Sequence, residues 1–475
     1  MTRIVILGAG PAGLGAAYRL RRAGRAEVVV LERGERPGGN AASFPWRGHR
    51  VDFGSHRLHP ATRPDILDDV RTLLGADLLD RPRHGRIRLL GRWLHFPLKP
   101  GDLLLHAPKG FVAGAALDAA GKPFRGGPDD PAQATFASEL ERSLGPTICR
   151  EFYFPYARKI WGLEPSALSA IQARRRVSAG SPLKLVRKVL SAVPGLKPKG
   201  AGRFFYPRRG FGQICDAYAD AAAAAGAELR YGRTVAALAE PRAPGAPWQV
   251  VARTASGEER LEADHVWSTI PVTLAARMLD PAPPADVLAA ASAITYRAMV
   301  LVYLELPTAQ FTEYDAHYFP GADLHITRLS EPPNYSLERA ESGRTVICAE
   351  LPCAVGDAHW SASDDELGRL VAGDLARAGL PLPGAPTAVH AARLPQAYPI
   401  YTTGYEHAFD ALDAHVGARE RFLSYGRQGL FAHDNTHHAL AMAYAAVECL
   451  GADGRFDAAR WEEHRREFAT HVVED

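Results

Sequence analysis

The residues best placed to do chemistry stand within the first forty of 475. Ile4-Val5-Ile6-Leu7 is a short apolar run, Gly8-Ala9-Gly10-Pro11-Ala12-Gly13 follows at once, and Leu14 to Leu20 is amphipathic. The pattern predicts a strand, a tight turn and a helix, with G-x-G-x-x-G at the junction. Gly8 lets the chain turn, Gly10 lets the backbone approach a pyrophosphate, and Gly13 lets the helix pack on the strand. Free N–H groups and the helix dipole favour an anion there, so Gly8, Gly10, Pro11, Ala12 and Gly13 are the expected lining. A second buried strand, Glu27 to Leu31, ends at Glu32, which lies 19 residues past Gly13. That is where a ribose 2′-hydroxyl needs a carboxylate acceptor.

Arg33 to Asn40, R-G-E-R-P-G-G-N, adds a second glycine turn. It predicts that Arg33, Gly38, Gly39 and Asn40 approach the dinucleotide from the other side. With this addition the stretch resembles the FAD-binding N-terminus of amine-oxidase-type flavoproteins rather than an NAD site. A second G-x-G-x-x-G for a bound nicotinamide is not found.

Positioning such a site takes a large scaffold, and 475 residues predict two domains or more. Hydrophobic content of 47% and charged content of 23% are those of an ordinary globular protein. A formal charge of +3 gives no reason to expect nucleic acid. The five cysteines are scattered, without metal spacing or a disulfide framework, and read as reduced core thiols in a cytoplasmic protein. No metal site is expected. The apolar N-terminus is a sheet strand rather than a signal peptide, and no run approaches the roughly 18 residues of a transmembrane segment.

Further along, Val51 to Pro60 holds Gly54, Ser55 and His56 on a strand and turn that either faces the cofactor or is a surface turn with incidental histidines. Residues 64–75 and about 136–162 predict helices, Ile87 to Leu98 two short strands, and Ser166 to Val177 a helix with three adjacent arginines. Ala119 to Gln133 reads as an exposed loop, and Lys184 to Arg209 as a basic loop near an anionic substrate or a plain linker. Strands about residues 228–231, 234–238, 248–252 and 265–270 return to the nucleotide domain and bring Val235 to the cofactor. Ala298 to Leu306 starts a second visit to the substrate domain. Phe422 to Asn435 is the final visit to the cofactor, with Gly426, Arg427 and Asn435.

In order and spacing, these pieces resemble the flavoprotein family of UDP-galactopyranose mutase and its protoporphyrinogen-oxidase-like relatives. Its markers are the dinucleotide motif with P-G-G-N, G-S-H-R-L-H at 54–59, F-P-L-K-P at 96–100, K-I-W-G at 159–162 and Y-P-R-R-G-F-G-Q at 206–213. Y-R at 296–297, A-Y-P-I-Y at 397–401 and G-R-Q-G at 426–429 complete the series. The resemblance implies an α/β fold. A Rossmann-type FAD domain would be built from 1–75, 203–275 and 415–475. A substrate domain of helical bundle and antiparallel sheet would come from 76–202 and 276–414. It implies His56 beside the flavin, Trp161 stacking on substrate, Arg175 and Arg297 on a diphosphate, and Tyr398 on a phosphate. Mutases carry an aspartate where this chain has His437. The activity implied is ring-size isomerisation of a nucleoside-diphosphate sugar through N5 of reduced FAD, with NAD(P)H a candidate external reductant. The rival is an FAD-dependent oxidoreductase of the amine oxidase or protoporphyrinogen oxidase type. The sequence leaves a homo-oligomer open.

Overall fold

The computed structural model describes residues 1–98, 100–122, 133–176 and 202–473. At its centre is a parallel sheet in the order Phe422–Ser424, His265–Ser268, Arg3–Leu7 (β1), Glu27–Leu31 (β2) and Glu228–Arg230. A parallel sheet covered on both faces wants continuous apolar strands, and Ile4 to Leu7 are all 0% exposed. The helix Pro11–Arg22 (α1) packs on it with Gln213–Ala224 and Thr436–Glu448 as neighbours. Gly15 allows the closest approach, since a Cβ there would lie 2.9 Å from Leu440. Four further strands, Gly257–Ala263, Trp248–Thr254, Thr234–Ala239 and Leu279–Asp280, form a small sheet beside this unit.

The other large element is a seven-stranded sheet in the order Ala388–Pro399, Tyr296–Leu306, Thr345–Cys353, Arg328–Ser330, Ala316–Tyr318, Gly85–Leu89 and Arg92–Phe96. All its pairings are antiparallel except Ala316–Tyr318 with Gly85–Leu89. Of its long central strands, Thr345–Cys353 is buried end to end and Tyr296–Leu306 from Ala298 onward, which matches their nearly unbroken apolar sequence. A helical layer, from Phe136–Leu144 through Phe154–Trp161 to Ala170–Arg176, covers one end.

Two expectations about loops need correction. Arg203–Pro207, read as part of a basic loop, is a strand paired with Leu78–Pro82. Alternating burial of Phe204 and Tyr206 gives it a core face that its arginines and prolines disguise. Residues 184–201, the earlier part of that loop, lie outside the described residues, as do 177–183 before them. Ala119 to Gly121 close the helix Lys109–Gly121 rather than open a loop, and residues 123–132 lie outside the description. The five cysteines are free and buried. Among the described residues, no helix is long and apolar enough to cross a membrane.

Candidate functional site

The dinucleotide turn is held by backbone. Gly8 has φ +98° and donates its N–H to the Leu31 carbonyl at 2.8 Å, tying the end of β1 to β2. A Cβ on Gly13 would stand 2.0 Å from the Gly8 carbonyl oxygen, so only glycine permits the crossing of helix over turn. Gly10 is the N-cap of α1, with extended backbone, no side-chain cap and no heavy atom within 4 Å of a Cβ built on it. The first-turn N–H groups therefore face an open space of the kind an anion fills.

Gly38 donates to the Ala9 carbonyl at 2.7 Å, and a Cβ on Gly39 would be 3.7 Å from the Gly10 Cα, which lays the second glycine turn against the first. Glu32 accepts N–H groups from Ala9 and Gly34, both at 2.8 Å, and so is fixed with lone pairs left for hydroxyls. Arg33, Gly39 and Asn40 are exposed at the rim. Val235 is buried near the start of its strand, where the preceding Arg233 N–H meets the Glu32 carbonyl at 2.8 Å. Gly426, at φ +78°, packs where a Cβ would meet Ala12 at 2.8 Å.

At the far end, Gly54 has φ +101° and Ser55 donates its N–H to Glu350 Oε1 at 3.0 Å. Arg328, opposite Glu350 in the sheet register, closes an ion pair with it at 2.8 Å. The Ser55 hydroxyl shares a 2.6 Å hydrogen bond with Tyr335. His56 stacks on Phe211 at 5.2 Å, and its Nε2 lies 2.9 Å from the Phe53 carbonyl. That partner puts the proton on Nε2 and leaves Nδ1 an acceptor. Burial lowers the His56 pKa, against the pull of Asp52 in the other direction. Asp52, itself pushed up by burial, accepts from Ser43, Tyr206 and the Phe211 N–H, and this buried knot is why Y-P-R-R-G-F-G-Q needs its glycines. A Cβ on Gly212 would sit 2.2 Å from the Ser43 nitrogen.

The residues expected at the substrate fall into two groups. Trp161 is 3% exposed, with its ring edge-on to Phe136 at 5.6 Å inside the helical layer. Arg297 donates from Nε to the Ile160 carbonyl at 2.9 Å, at the C-terminal end of the helix Phe154–Trp161. Helix ends attract cations, and Gly162 leaves the room, since a Cβ there would be 2.8 Å from Arg297 Nη1. Burial lowers the Arg297 pKa. Tyr398 is the register partner of Arg297, lies beside the His433 ring at 5.0 Å and carries the Arg427 guanidinium 5.5 Å above its own ring. Arg427 also donates to the carbonyls of Asp434 and Ala397 at 2.6 and 2.7 Å. Arg175 stands instead over Tyr401 at 5.5 Å, under the influence of Asp434, with its Nε and Nη1 buried and lacking hydrogen-bond partners. The structure thus gathers Trp161, Arg297 and Tyr398 around one helix end and holds Arg175 on a neighbouring aromatic.

The profile described as flavin containing amine oxidoreductase matches residues 11–443. The chain belongs to this family. It is a flavoenzyme, and its cofactor is FAD. Human protoporphyrinogen oxidase is 30% identical over 363 residues, 70% of this chain and 71% of that protein. Phytoene dehydrogenase of Streptomyces griseus is 30% identical over 257 residues, 50% of this chain and 48% of that protein, so the chain spans about half the length of this relative. A crystal structure of reduced UDP-galactopyranose mutase superimposes with a TM-score of 0.80 at 20% identity, covering 99% of this chain and 100% of that one. At that identity the likeness speaks for the fold.

These residues fit the flavin dinucleotide of an amine oxidoreductase: uncapped helix N–H groups, a glycine approach on each side and a pinned carboxylate. Glu350 and Arg328 escaped the sequence reading. Glu350 carries a signal, a lone charge inside the apolar strand Thr345–Cys353. Arg328 carries none, because its strand is three residues long.

Proposed function

We propose that this amine oxidoreductase family member acts on a nucleotide-activated sugar, with Arg297 and Arg175 holding its diphosphate. One observation carries the reading. Arg175 buries Nε and Nη1 without a hydrogen-bond partner, Arg297 is half-buried and bonded to carbonyls, and neither closes an ion pair among the described residues, where a buried charge ordinarily demands one. The carbonyls of a helix end and the more distant Asp357 offset the Arg297 charge only in part, since burial still lowers its pKa. A diphosphate would supply charge-assisted, bidentate partners. Tyr398, opposite Arg297, is placed to add a hydroxyl, and Trp161 acts through packing, by fixing the helix end that holds Arg297. FAD supplies, when bound, a nucleophile in its reduced form or a hydride acceptor in its oxidised form. His56, Ser55 and Gly54 then bound its ring face, and no protein general base is required.

The second reading is an oxidoreductase, favoured by the names of the relatives that share 30% identity, a phytoene dehydrogenase and protoporphyrinogen oxidases. Titrating the reduced protein with UDP and TDP sugars separates the two. The nucleotide-sugar reading expects binding that Arg297→Ala weakens by roughly 2–5 kcal/mol while FAD content is unchanged. Wild-type protein that binds none of them, or a variant that binds them equally well, makes the oxidoreductase the better account.

A further inference from the structure

At the last return of the chain to the nucleotide unit lies a cluster that the reading above does not use. Asp434, just before the helix Thr436–Glu448, is 1% exposed. Its Oδ2 lies 3.1 Å from Nδ1 of His471, which comes from the segment after the final helix. Its Oδ1 is buried without a hydrogen-bond partner, 3.8 Å from Nδ1 of His438 in the first turn of the helix. The His438 and His471 rings lie 4.1 Å apart, and one ligand atom from each of the three residues falls within 4.8 Å of the others. The C-terminal segment is tied down at a second point, where the Val473 N–H meets the Arg175 carbonyl at 2.8 Å.

We propose that Asp434, His438 and His471 bind one divalent transition-metal ion of the Zn²⁺ class, fastening the C-terminal segment to the helix Thr436–Glu448. Imidazole nitrogen and carboxylate oxygen are the donors such an ion takes, at about 2.0–2.2 Å each. Two donors on a tetrahedral ion at that range stand roughly 3.4 Å apart. His471 Nδ1 is 3.1 Å from Oδ2 and His438 Nδ1 3.8 Å from Oδ1 of the same carboxylate, and one donor atom of each residue lies within 4.8 Å of the others, so side-chain rotation alone brings three donors together. A wholly buried carboxylate with an idle oxygen is the group that gains most from a cation. The ion displaces the long 3.3 Å hydrogen bond from the Asn435 N–H to His438 Nδ1, and the two parallel imidazoles swing so that their lone pairs converge. Arg175 acts on Asp434 from the helix Ala170–Arg176, and its like charge opposes the ion. Removing that charge should therefore tighten binding. The inference is independent of the nucleotide-sugar reading, because it is tested without substrate.

The experiment uses full-length, FAD-loaded protein, stripped with a chelator, dialysed, and titrated with Zn²⁺ by calorimetry, with bound metal counted by elemental analysis. One equivalent of Zn²⁺ is expected. His471→Ala and His438→Ala should each weaken binding about tenfold or more, and Arg175→Met should strengthen it, with flavin absorbance reporting that each variant is folded. His471 lies beyond the last helix, so its variant carries the test should His438→Ala lose its flavin. No stoichiometric binding to the wild type, or equal binding by folded His471→Ala, overturns the proposal.

Discussion

The dinucleotide turn and the region proposed for substrate are two ends built from different material. At the dinucleotide end the working parts are backbone: N–H groups of α1, glycines that allow close approach, and Glu32 pinned by two amides. In the region proposed for substrate they would be side chains, Trp161, Arg175, Arg297, Arg328, Glu350 and Tyr398, each held by a different element. The first end depends on which conformations the chain can adopt over forty residues. The second depends on which charges the whole fold can bury together. Substitutions at the two ends should therefore fail differently.

The largest effect is expected at Gly13. A Cβ there meets the Gly8 carbonyl oxygen at 2.0 Å, so Gly13→Val should yield no folded protein, whereas Gly10→Val, with open space around it, should fold and lose FAD. Circular dichroism and flavin absorbance of the two variants read this directly. A Gly10→Val protein with stoichiometric FAD would break the distinction between backbone that shapes the turn and backbone that meets the ligand.

Next is Glu350, the charge hub of the substrate end. Its carboxylate serves both Arg328 and the Ser55 N–H. Glu350→Ala leaves a buried guanidinium uncompensated and should destabilise by roughly 3–5 kcal/mol. Urea unfolding measures it, and a loss below about 1 kcal/mol would mean the ion pair is effectively solvent-screened.

This difference in material also decides what could be read from the sequence. β1, α1, β2 and Glu32 are legible because each residue's role follows from neighbours a few positions away. The family's order of short motifs extends that to the fold and the cofactor. Trp161 marks the limit: its type suits a stacking platform, yet it is packed edge-on to Phe136, since burial depends on helices that sequence periodicity does not place. Arg297 opens an otherwise apolar strand, but its partners are helix-end carbonyls whose position no local pattern encodes. Arg203–Pro207 was missed as a strand because its partner, Leu78–Pro82, lies over a hundred residues away.

A smaller effect, of about 2–3 kcal/mol between pH 7 and 4.5, concerns His317 in the substrate half. Burial, reinforced by Arg86, lowers its pKa from 6.5 to about 3. As pH falls below 6.5, the unfolded chain takes up a proton that the folded imidazole refuses until about 3, so stability is lost through that window. His317→Gln can place its amide where Nε2 stands, keep a hydrogen bond to Thr312, and should flatten this limb of the stability–pH curve relative to wild type. Parallel curves for the two proteins would show that the site admits water and that the substrate half is less dry than its packing implies.

The smallest expected effect sits where the two ends meet. His56 comes from a turn in the dinucleotide half but rests among substrate-half groups, near Arg328 and Glu350. A histidine beside a flavin can act through charge or through a hydrogen bond, and the structure favours the second. Burial lowers its pKa, and the Phe53 carbonyl holds the proton on Nε2, so at pH 7 the ring is neutral and offers Nδ1 as an acceptor. A neutral dipole stabilises a developing anion far less than a charge does. His56→Phe should keep the stack on Phe211 and move the two-electron flavin potential by less than about 30 mV, equivalent to roughly 1.4 kcal/mol. Spectroelectrochemistry of the two proteins, each at pH 6 and pH 8, makes the measurement. A shift well above that, present at pH 6 and fading by pH 8, would mean that His56 is protonated when the flavin is reduced. The cofactor end would then rely on a side-chain charge after all.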